Sequence, residues 1–167
     1  MARYFQPTEL TPLKSLAMLA ALLLVTAAVA AIGGIVTAGS VDGWYAGLAK
    51  ARFTPPNWVF GPAWTILYLL MALAGWRAWR AAGRMQRPGL LRLYGMQLGI
   101  NLLWSILFFG LHWPMAALLN CVLLLLLVVL LLYQASRHDR FAAILLTPYA
   151  AWVGFACVLN SAIVWLN

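Results

Sequence analysis

Amides and aromatic rings are the side chains within the apolar segments that offer usable chemistry. On one predicted helix, Gln97, Asn101, Trp104 and Phe108 recur at spacings of four, three and four residues. Side chains three and four residues apart share one face of an α-helix. This face offers amide donors and acceptors beside flat apolar rings, which suits ligand binding better than acid–base catalysis.

The same residue types recur in the other apolar segments. Counting the helical rise from the predicted outer boundary places Trp64 about 9 Å deep, Asn101 about 14 Å and Trp152 about 20 Å. Asn120 and Asn160 lie about 8 and 10 Å deep by the same count. An amide that faces lipid is costly, so we expect these side chains to point into the bundle. Together they predict a cavity for a large, flat, mostly apolar ligand with a few polar edges.

Two structural roles compete with ligand binding. Both faces of the predicted third helix can simply pack within the bundle. Tryptophans also anchor helices at membrane interfaces, which suits Trp44, Trp58, Trp113 and Trp165. Trp64 and Trp152 fit that role poorly because they lie too deep.

Acid–base and metal chemistry find little support. Glu9, Asp42 and Asp139 are the only acidic residues, and all lie outside the apolar segments, which also contain no Lys or Arg. Ion-coupled transporters usually need such groups at depth. The chain also lacks the paired carboxylates, catalytic triads and phosphate loops of hydrolases and kinases.

Histidines and cysteines predict no metal site. His112 and His138 fall in loops on opposite sides of the predicted membrane, so they cannot share a metal ion. Cys121 and Cys157 lie inside apolar runs and outside any CxxC or Cys/His pattern. We interpret them as small buried hydrophobes and not as a disulfide.

Composition predicts the elements that must position these side chains. Of the 167 residues, 65% are hydrophobic and 8% charged, and the mean hydropathy is +0.91. Five continuous apolar runs, each near the ~20 residues that a membrane-spanning helix needs, are predicted at 15–36, 58–76, 93–110, 115–133 and 141–166. The predicted fold is all-α, an integral membrane bundle of five transmembrane helices, with an N-terminal arm at 1–14 and one domain at 15–167.

The first apolar run has an alternative interpretation. Lys14, the leucine-rich stretch and Ala28-Val29-Ala30 resemble a signal peptide with its cleavage site. The run continues past that site and is longer than a usual signal-peptide core. We therefore expect an intact first helix.

Basic residues predict the orientation. The net charge of +8 arises from Lys and Arg placed between apolar runs, which indicates membrane topology and no nucleic-acid partner. Lys50 and Arg52 lie in the first loop. The other nine of the eleven fall on the opposite side, which predicts a cytoplasmic N-terminus, with the first loop and the C-terminus outside. These nine are Arg3, Lys14, Arg77, Arg80, Arg84, Arg87, Arg92, Arg137 and Arg140.

A pair of glycines predicts assembly. Gly95 and Gly99 lie on the face of the third helix opposite Gln97 and form a GxxxG step. Close backbone contact at small residues drives helix association in lipid, so we expect a homodimer through this helix. Packing against a neighbouring helix of the same chain is the alternative.

Three stretches of this chain resemble the translocator protein family (TspO, tryptophan-rich sensory proteins, formerly peripheral benzodiazepine receptors). They are "WYAGLAK...TPPNWVFGPAWTILY", "QLGINLLWSILFFG" and "PYAAWVGFACVLN", in the family's order and spacing. The resemblance extends from about residue 16 to the C-terminus. It implies a five-helix membrane bundle that binds porphyrins, haem, benzodiazepine-type ligands and, in mitochondrial members, cholesterol. Members of this family are found as dimers through the third helix.

The resemblance also implies roles for particular residues. Trp64 and Trp152 are expected to line the pocket with Asn101, and the two tryptophan positions are tied to porphyrin breakdown in some bacterial members. They are therefore the candidate catalytic residues. The first loop is expected to act as a lid, with Lys50, Phe53, Pro55 and Pro56. The complete predicted ligand-binding set is Trp44, Trp58, Trp64, Tyr68, Gln97, Asn101, Trp104, Phe108, Asn120, Tyr149, Trp152 and Asn160.

Two departures from the family pattern bear on function. The family's Lys-Pro-x-Trp before the double proline is replaced here by the sequence from Lys50 to Phe53, which predicts a looser lid. The mitochondrial cholesterol motif needs a Tyr followed by Lys or Arg, and the corresponding stretch "ACVLNSAIVWLN" has neither. A sterol site at that position is not expected.

Three functions remain open from the sequence. The leading hypothesis is a membrane receptor or sensor that binds porphyrin or haem and regulates porphyrin handling. The alternatives are an enzyme that degrades porphyrin oxidatively or with light, and a passive translocator of tetrapyrroles or other lipophiles. No obligatory cofactor is expected, and porphyrin or haem is expected as the ligand. The expected location is a bacterial cell membrane.

Overall fold

The computed structural model describes residues 10–167 and contains five long helices and one short one. Arg3, Glu9 and most of the predicted N-terminal arm lie outside the described residues. The order is α1 Pro12–Val41, α2 Trp44–Gly47, α3 Asn57–Ala81, α4 Arg87–Ser105 with a π-helical turn at Ile106–Gly110, α5 Pro114–Ser136 and α6 Arg140–Leu166. The five long helices are apolar and long enough to cross a membrane, which confirms the predicted all-α membrane bundle.

Each long helix extends beyond the apolar run that predicted it. Helix α1 starts at Pro12, three residues before the predicted run, and α4 starts at Arg87, six residues before its predicted run. Hydropathy marks only the part of a helix that lies in hydrocarbon. The helices continue through the interface, where charged residues are tolerated. The Arg-rich second connection therefore shrinks to residues 82–86.

Helix starts follow recognisable local rules. The Thr11 hydroxyl accepts a hydrogen bond from the backbone N–H of Lys14, and Pro12 opens α1. The Asp139 carboxylate accepts from the N–H groups of Phe141 and Ala142 at the start of α6, at 2.8 and 3.2 Å. These caps satisfy backbone donors that a helix N-terminus leaves unpaired.

Side-chain hydrogen bonds hold the helices together inside the bundle. Thr26 of α1 and Tyr94 of α4 share a buried hydrogen bond of 2.8 Å. Asn120 of α5 donates to the carbonyl oxygen of Ile100 in α4 at 2.9 Å. Between α5 and α6 the thiols of Cys121 and Cys157 face each other, with Cys121 buried and Cys157 partly buried. Helix α1, the possible signal peptide, thus contributes buried contacts to the bundle.

The backbone of α3 approaches the ring of Tyr94 closely at Gly75. A Cβ atom built on Gly75 of α3 would lie 2.7 Å from Cε2 of the Tyr94 ring. That separation is shorter than real Cβ contacts. Glycine is therefore required here so that α3 can pack against the ring that Thr26 holds in place.

The π-helical turn widens the end of the third span. The N–H of Leu111 donates to the carbonyl oxygen of Ile106, five residues earlier, at 2.8 Å. The hydroxyl of Ser40 in α1 donates to the carbonyl oxygen of Phe109 at 2.6 Å. Single π turns within α-helices are frequent at functional sites, and in this one Phe108 and Phe109 pack against each other and against Trp104.

Candidate functional site

A cavity of about 340 Å³ lies between α1, α3, α6 and the end of the third span. Its wall is mostly apolar, and among the described residues none comes from α5. Small-molecule sites typically measure about 300–1,000 Å³ and carry a few polar groups on an apolar wall. The cavity therefore has the size and the lining of a ligand pocket.

Seven of the twelve predicted ligand-binding residues meet in this wall. They come from α3, the third span and α6, so the tertiary fold does bring the amides and tryptophans of separate helices together. The seven are Trp64, Tyr68, Asn101, Trp104, Phe108, Trp152 and Asn160.

Two tryptophans stand edge to face within the wall. The ring centroids of Trp64 and Trp152 are 6.4 Å apart at an interplanar angle of 84°. Tyr68 lies 5.4 Å from Trp64 on one side, and Phe60 lies 5.9 Å from Trp152 on the other. Among residues 10–167, indole N–H bonds are formed by other tryptophans and not by Trp64 or Trp152. Both N–H groups can therefore donate to a ligand.

A chain of hydrogen bonds lies behind the wall. Tyr68 donates to Oδ1 of Asn101 at 2.6 Å, and Nδ2 of Asn101 donates to the Tyr149 hydroxyl at 3.2 Å. Tyr149 donates to Oε1 of Gln97 at 2.9 Å, and Nε2 of Gln97 contacts the sulfur of Met71 at 3.1 Å. Gln97 and Tyr149 are fully buried and do not line the cavity. They hold Asn101 in place, and Asn101 alone of these three reaches the cavity.

A second chain fixes the opposite part of the wall. The indole of Trp104 donates to Oδ1 of Asn160 at 3.1 Å, and Nδ2 of Asn160 donates to the carbonyl oxygen of Pro114 at 2.8 Å. The Trp104 ring stacks on Phe108 at 5.2 Å and 14°. These side chains are held in position without a ligand, so binding costs less side-chain conformational entropy.

Three other predicted residues lie outside the wall. Trp44 stacks on His112 with ring centroids 4.3 Å apart, and Trp58 is 75% exposed on the outside of the bundle. Asn120 uses its amide on the backbone of α4. The helical count places Asn120 at a suitable depth, but depth does not say which way a side chain points. Trp44 and Trp58 also suit interfacial anchoring, the alternative considered from the sequence.

Several lining residues were not predicted from the sequence. Tyr45, Phe60 and Phe109 all line the cavity. Phe109 lies in the π turn and lines the cavity together with its neighbour Phe108. A regular helical period does not predict that two consecutive residues both face the cavity. The short helix α2 turns Tyr45 inward, and burial raises the pKa of its hydroxyl. Phe60 could have been predicted from the sequence, because it lies four residues before Trp64 and therefore on the same helix face.

The predicted lid residues lie beside the cavity but not in its wall. The ammonium of Lys50 donates to the carbonyl oxygens of Ala46 and Leu48 and lies 4.6 Å from the Tyr45 ring centroid. Phe53 is 57% exposed, with its ring 6.5 Å from that of Phe155. Pro55 and Pro56 lead into α3. The lid role of this loop stays a prediction.

The described cavity wall lacks the side chains that most often ligate haem iron. Among the described residues that line it there is no histidine, cysteine or methionine. His112 lies at the other side of Trp44, and no group of three His, Cys, Asp or Glu in residues 10–167 is arranged to hold a metal. The wall fits a planar ring held by its faces and edges, and its described part supplies no histidine, cysteine or methionine for axial ligation of haem iron. Tyr45 and Tyr68 line the wall, and the Tyr68 hydroxyl already donates to Asn101.

Gly95 and Gly99 form a bare strip on the outside of α4. Both are exposed, and a Cβ atom at either would meet nothing within 4 Å. Packing against another helix of the same chain, the alternative considered from the sequence, therefore does not occur between these glycines and the described residues.

Comparison with known proteins identifies relatives over most of the chain. The model described as the TspO/MBR family matches residues 21–166. The tryptophan-rich protein TspO of Archaeoglobus fulgidus is 44% identical over 149 residues, which cover 89% of this chain and 96% of that protein. The tryptophan-rich sensory protein of Cereibacter sphaeroides is 37% identical, covering 83% and 87%. The translocator protein of Sus scrofa is 36% identical, covering 79% and 82%.

Proposed function

The chain belongs to the TspO/MBR family, and we propose that it is a membrane receptor that binds a tetrapyrrole and regulates porphyrin handling. The observation that carries the proposal is the cavity wall. Flat aromatic side chains, among them Trp64, Trp104 and Trp152, surround a space with few polar atoms, and Asn101 and Asn160 are held there by hydrogen bonds. A porphyrin ring is large, flat and apolar, with polar groups only at its edge and centre, which is the complementary shape and chemistry.

Titration of the purified protein with protoporphyrin tests the proposal. Trp64→Phe keeps an aromatic ring and removes the unpaired indole N–H, and it should weaken binding by roughly 1–3 kcal/mol. Trp165→Phe is the matched control, because Trp165 is 89% exposed and lies away from the cavity. Equal isotherms for the wild type and the Trp64 variant, with both proteins folded, would place the ligand elsewhere.

One observation favours oxidative porphyrin degradation as a second candidate. The ring centroids of the redox-capable indoles of Trp64 and Trp152 lie 6.4 Å apart in the cavity wall, while the described wall contains no histidine, lysine or carboxylate. Dioxygen would be the oxidant. Absorption spectra of the protein with protoporphyrin, in the dark and in light, distinguish the two functions. A stoichiometric band shift without turnover supports the receptor, and progressive loss of the porphyrin bands supports the enzyme.

The same proposal includes a topology and an assembly. The concentration of Lys and Arg at one end of the bundle supports a cytoplasmic N-terminus and an external first loop. The exposed glycines Gly95 and Gly99 support a homodimer in which two copies of α4 meet. In that arrangement the ligand wall and the dimer surface lie on opposite faces of one helix.

A further inference from the structure

A second crevice lies at the other end of the bundle, where α1 begins and the connection between α3 and α4 passes. Its volume is about 580 Å³. Three cations, Lys14, Arg84 and Arg87, line it together with the indole of Trp79. The predicted ligand pocket shares none of the residues that line this crevice.

One wall of the crevice is an apolar strip on α1. Ala17, Met18 and Ala21 follow Lys14 at helical spacing, so all four share one face, and Leu10 extends that wall beyond the helix start. The strip from Lys14 to Ala21 is about 10 Å long. It runs from the charged end of the helix toward the middle of the membrane span. A charged mouth thus continues into an apolar groove.

The cations have no carboxylate partner in the described part of the chain. Residues 10–167 contain two acids, and Asp139 is paired with Arg77 at 2.9 Å. Asp42 lies at the far end of α1, roughly 40 Å from Lys14. Glu9 lies outside the described residues. The site therefore carries a local positive charge that the described protein does not balance.

Arg87 is held in a fixed orientation. Its Nε donates to the carbonyl oxygen of Trp79 at 3.1 Å, and its guanidinium lies 4.7 Å from the Trp79 ring centroid. On the same helix as Trp79, the Trp76 indole donates to the carbonyl oxygen of Ser15 at 2.9 Å, which ties the start of α1 to the end of α3. The terminal guanidinium nitrogens of Arg87 form no hydrogen bond within the described residues, so they can bind an anion.

We propose that this crevice binds an anionic phospholipid, with the phosphate at Lys14, Arg84 and Arg87 and one acyl chain along Ala17, Met18 and Ala21. The charge selects an anion, and basic crevices between membrane helices suit lipid headgroups. The apolar strip selects a lipid over free phosphate, since a free anion gains nothing from it. The proposal does not depend on the tetrapyrrole function, because the two sites lie at opposite ends of the bundle.

Native mass spectrometry of the full chain in neutral detergent tests the lipid site. Phosphatidylglycerol and phosphatidylcholine with identical acyl chains are the probes. We expect phosphatidylglycerol to bind at least about tenfold more tightly, because each cation near a membrane surface contributes around fivefold. Lys14→Gln/Arg84→Gln/Arg87→Gln should reduce its binding to the phosphatidylcholine level.

A charge-matched variant controls for nonspecific attraction. Arg92, Arg137 and Arg140 lie at the same end of the bundle, are exposed and do not line the crevice. Their replacement by Gln removes the same three charges and should leave the preference for phosphatidylglycerol intact. Equal binding of the two lipids by the wild type, or equal loss in both triple variants, overturns the proposal. Circular dichroism and elution volume show whether each variant is folded.

A further variant tests the acyl-chain groove without changing the charge. Ala21→Trp should fill the apolar strip and reduce phosphatidylglycerol binding by about tenfold or more if a chain lies there. Inorganic phosphate serves as the competing probe. If millimolar phosphate displaces the lipid completely and Ala21→Trp has no effect, the crevice is a site for free anions and the lipid assignment is wrong.

Discussion

The hydroxyl of Tyr68 donates a hydrogen bond of 2.6 Å to Oδ1 of Asn101 across the interface of α3 and α4. Because Nδ2 of the same amide donates to Tyr149, the protein uses both ends of the Asn101 side chain. Asn101 is thus fixed in the cavity wall before a ligand arrives. Its remaining hydrogen-bonding capacity, one N–H and one oxygen lone pair, can face the ligand.

This relationship predicts that Asn101→Leu affects stability as well as binding. The change leaves the Tyr68 hydroxyl without its acceptor in a largely buried site, which should destabilise the fold by about 1–3 kcal/mol. Tyr68→Phe removes the donor and should cost only about 0.5–1.5 kcal/mol. Thermal unfolding in detergent together with porphyrin titration measures both effects. Normal stability of the Asn101 variant with lost binding would mean that the amide serves the ligand alone.

Replacing Gly75 is predicted to destabilise the protein more than replacing Gly154, another helical glycine. Gly75→Ala puts a methyl group against the Tyr94 ring and should destabilise the protein by about 1–3 kcal/mol through overpacking. Gly154→Ala in α6 is the control, because a Cβ there meets nothing within 4 Å. Alanine favours helix, so that variant should unfold at or above the wild-type temperature. Identical unfolding of both variants would show that Tyr94 moves aside freely.

The lack of histidine, cysteine and methionine in the described wall predicts how haem binds. Haem and metal-free protoporphyrin should bind with similar affinity, and the haem spectrum should lack the signature of histidine ligation. His112→Ala should leave the haem isotherm unchanged, since His112 lies behind Trp44. A haem complex that loses a histidine-type spectrum in this variant would place the iron near His112.

Cysteine labelling tests the proposed topology. Gly47 of α2 and Gly83 of the second connection are both exposed and lie at opposite ends of the bundle. Gly47→Cys should react with a membrane-impermeant thiol reagent added outside intact cells, and Gly83→Cys should react only after lysis. The parent chain, whose Cys121 and Cys157 lie within the helical spans, gives the background. The reverse pattern would invert the orientation.

Crosslinking tests the proposed dimer. Gly99→Leu adds bulk to the bare strip of α4 and should separate the two copies while porphyrin binding stays near the wild-type value. Gly89→Leu near the start of α4 is the control, because a Cβ atom at Gly89 also meets nothing within 4 Å. Gly34 is unsuitable as a control position because it lines the cavity. A dimer that survives Gly99→Leu, or one lost together with ligand binding, contradicts the separation of the two faces.

The sequence by itself determined the five-helix membrane architecture and much of the cavity wall. A continuous apolar run in lipid can hydrogen-bond all its backbone groups within itself by forming an α-helix, so the spans could be predicted from the pattern of apolar residues. Trp64, Asn101 and Trp152 could be placed in the wall because depth and the family resemblance agreed. Helix ends could not be placed, since hydropathy changes at the hydrocarbon boundary and the helices do not stop there.

Tertiary structure decided which of the buried polar groups face the cavity and which serve the protein. Gln97, Tyr149 and Asn120 have the residue types and depths of ligand-binding groups, yet they hydrogen-bond to neighbouring helices. The rotation of one helix against the next decides this, and it depends on close packing at sites such as Gly75. The π turn that brings Phe109 into the wall also involves a contact between helices, because the Ser40 hydroxyl of α1 donates to the carbonyl oxygen of Phe109.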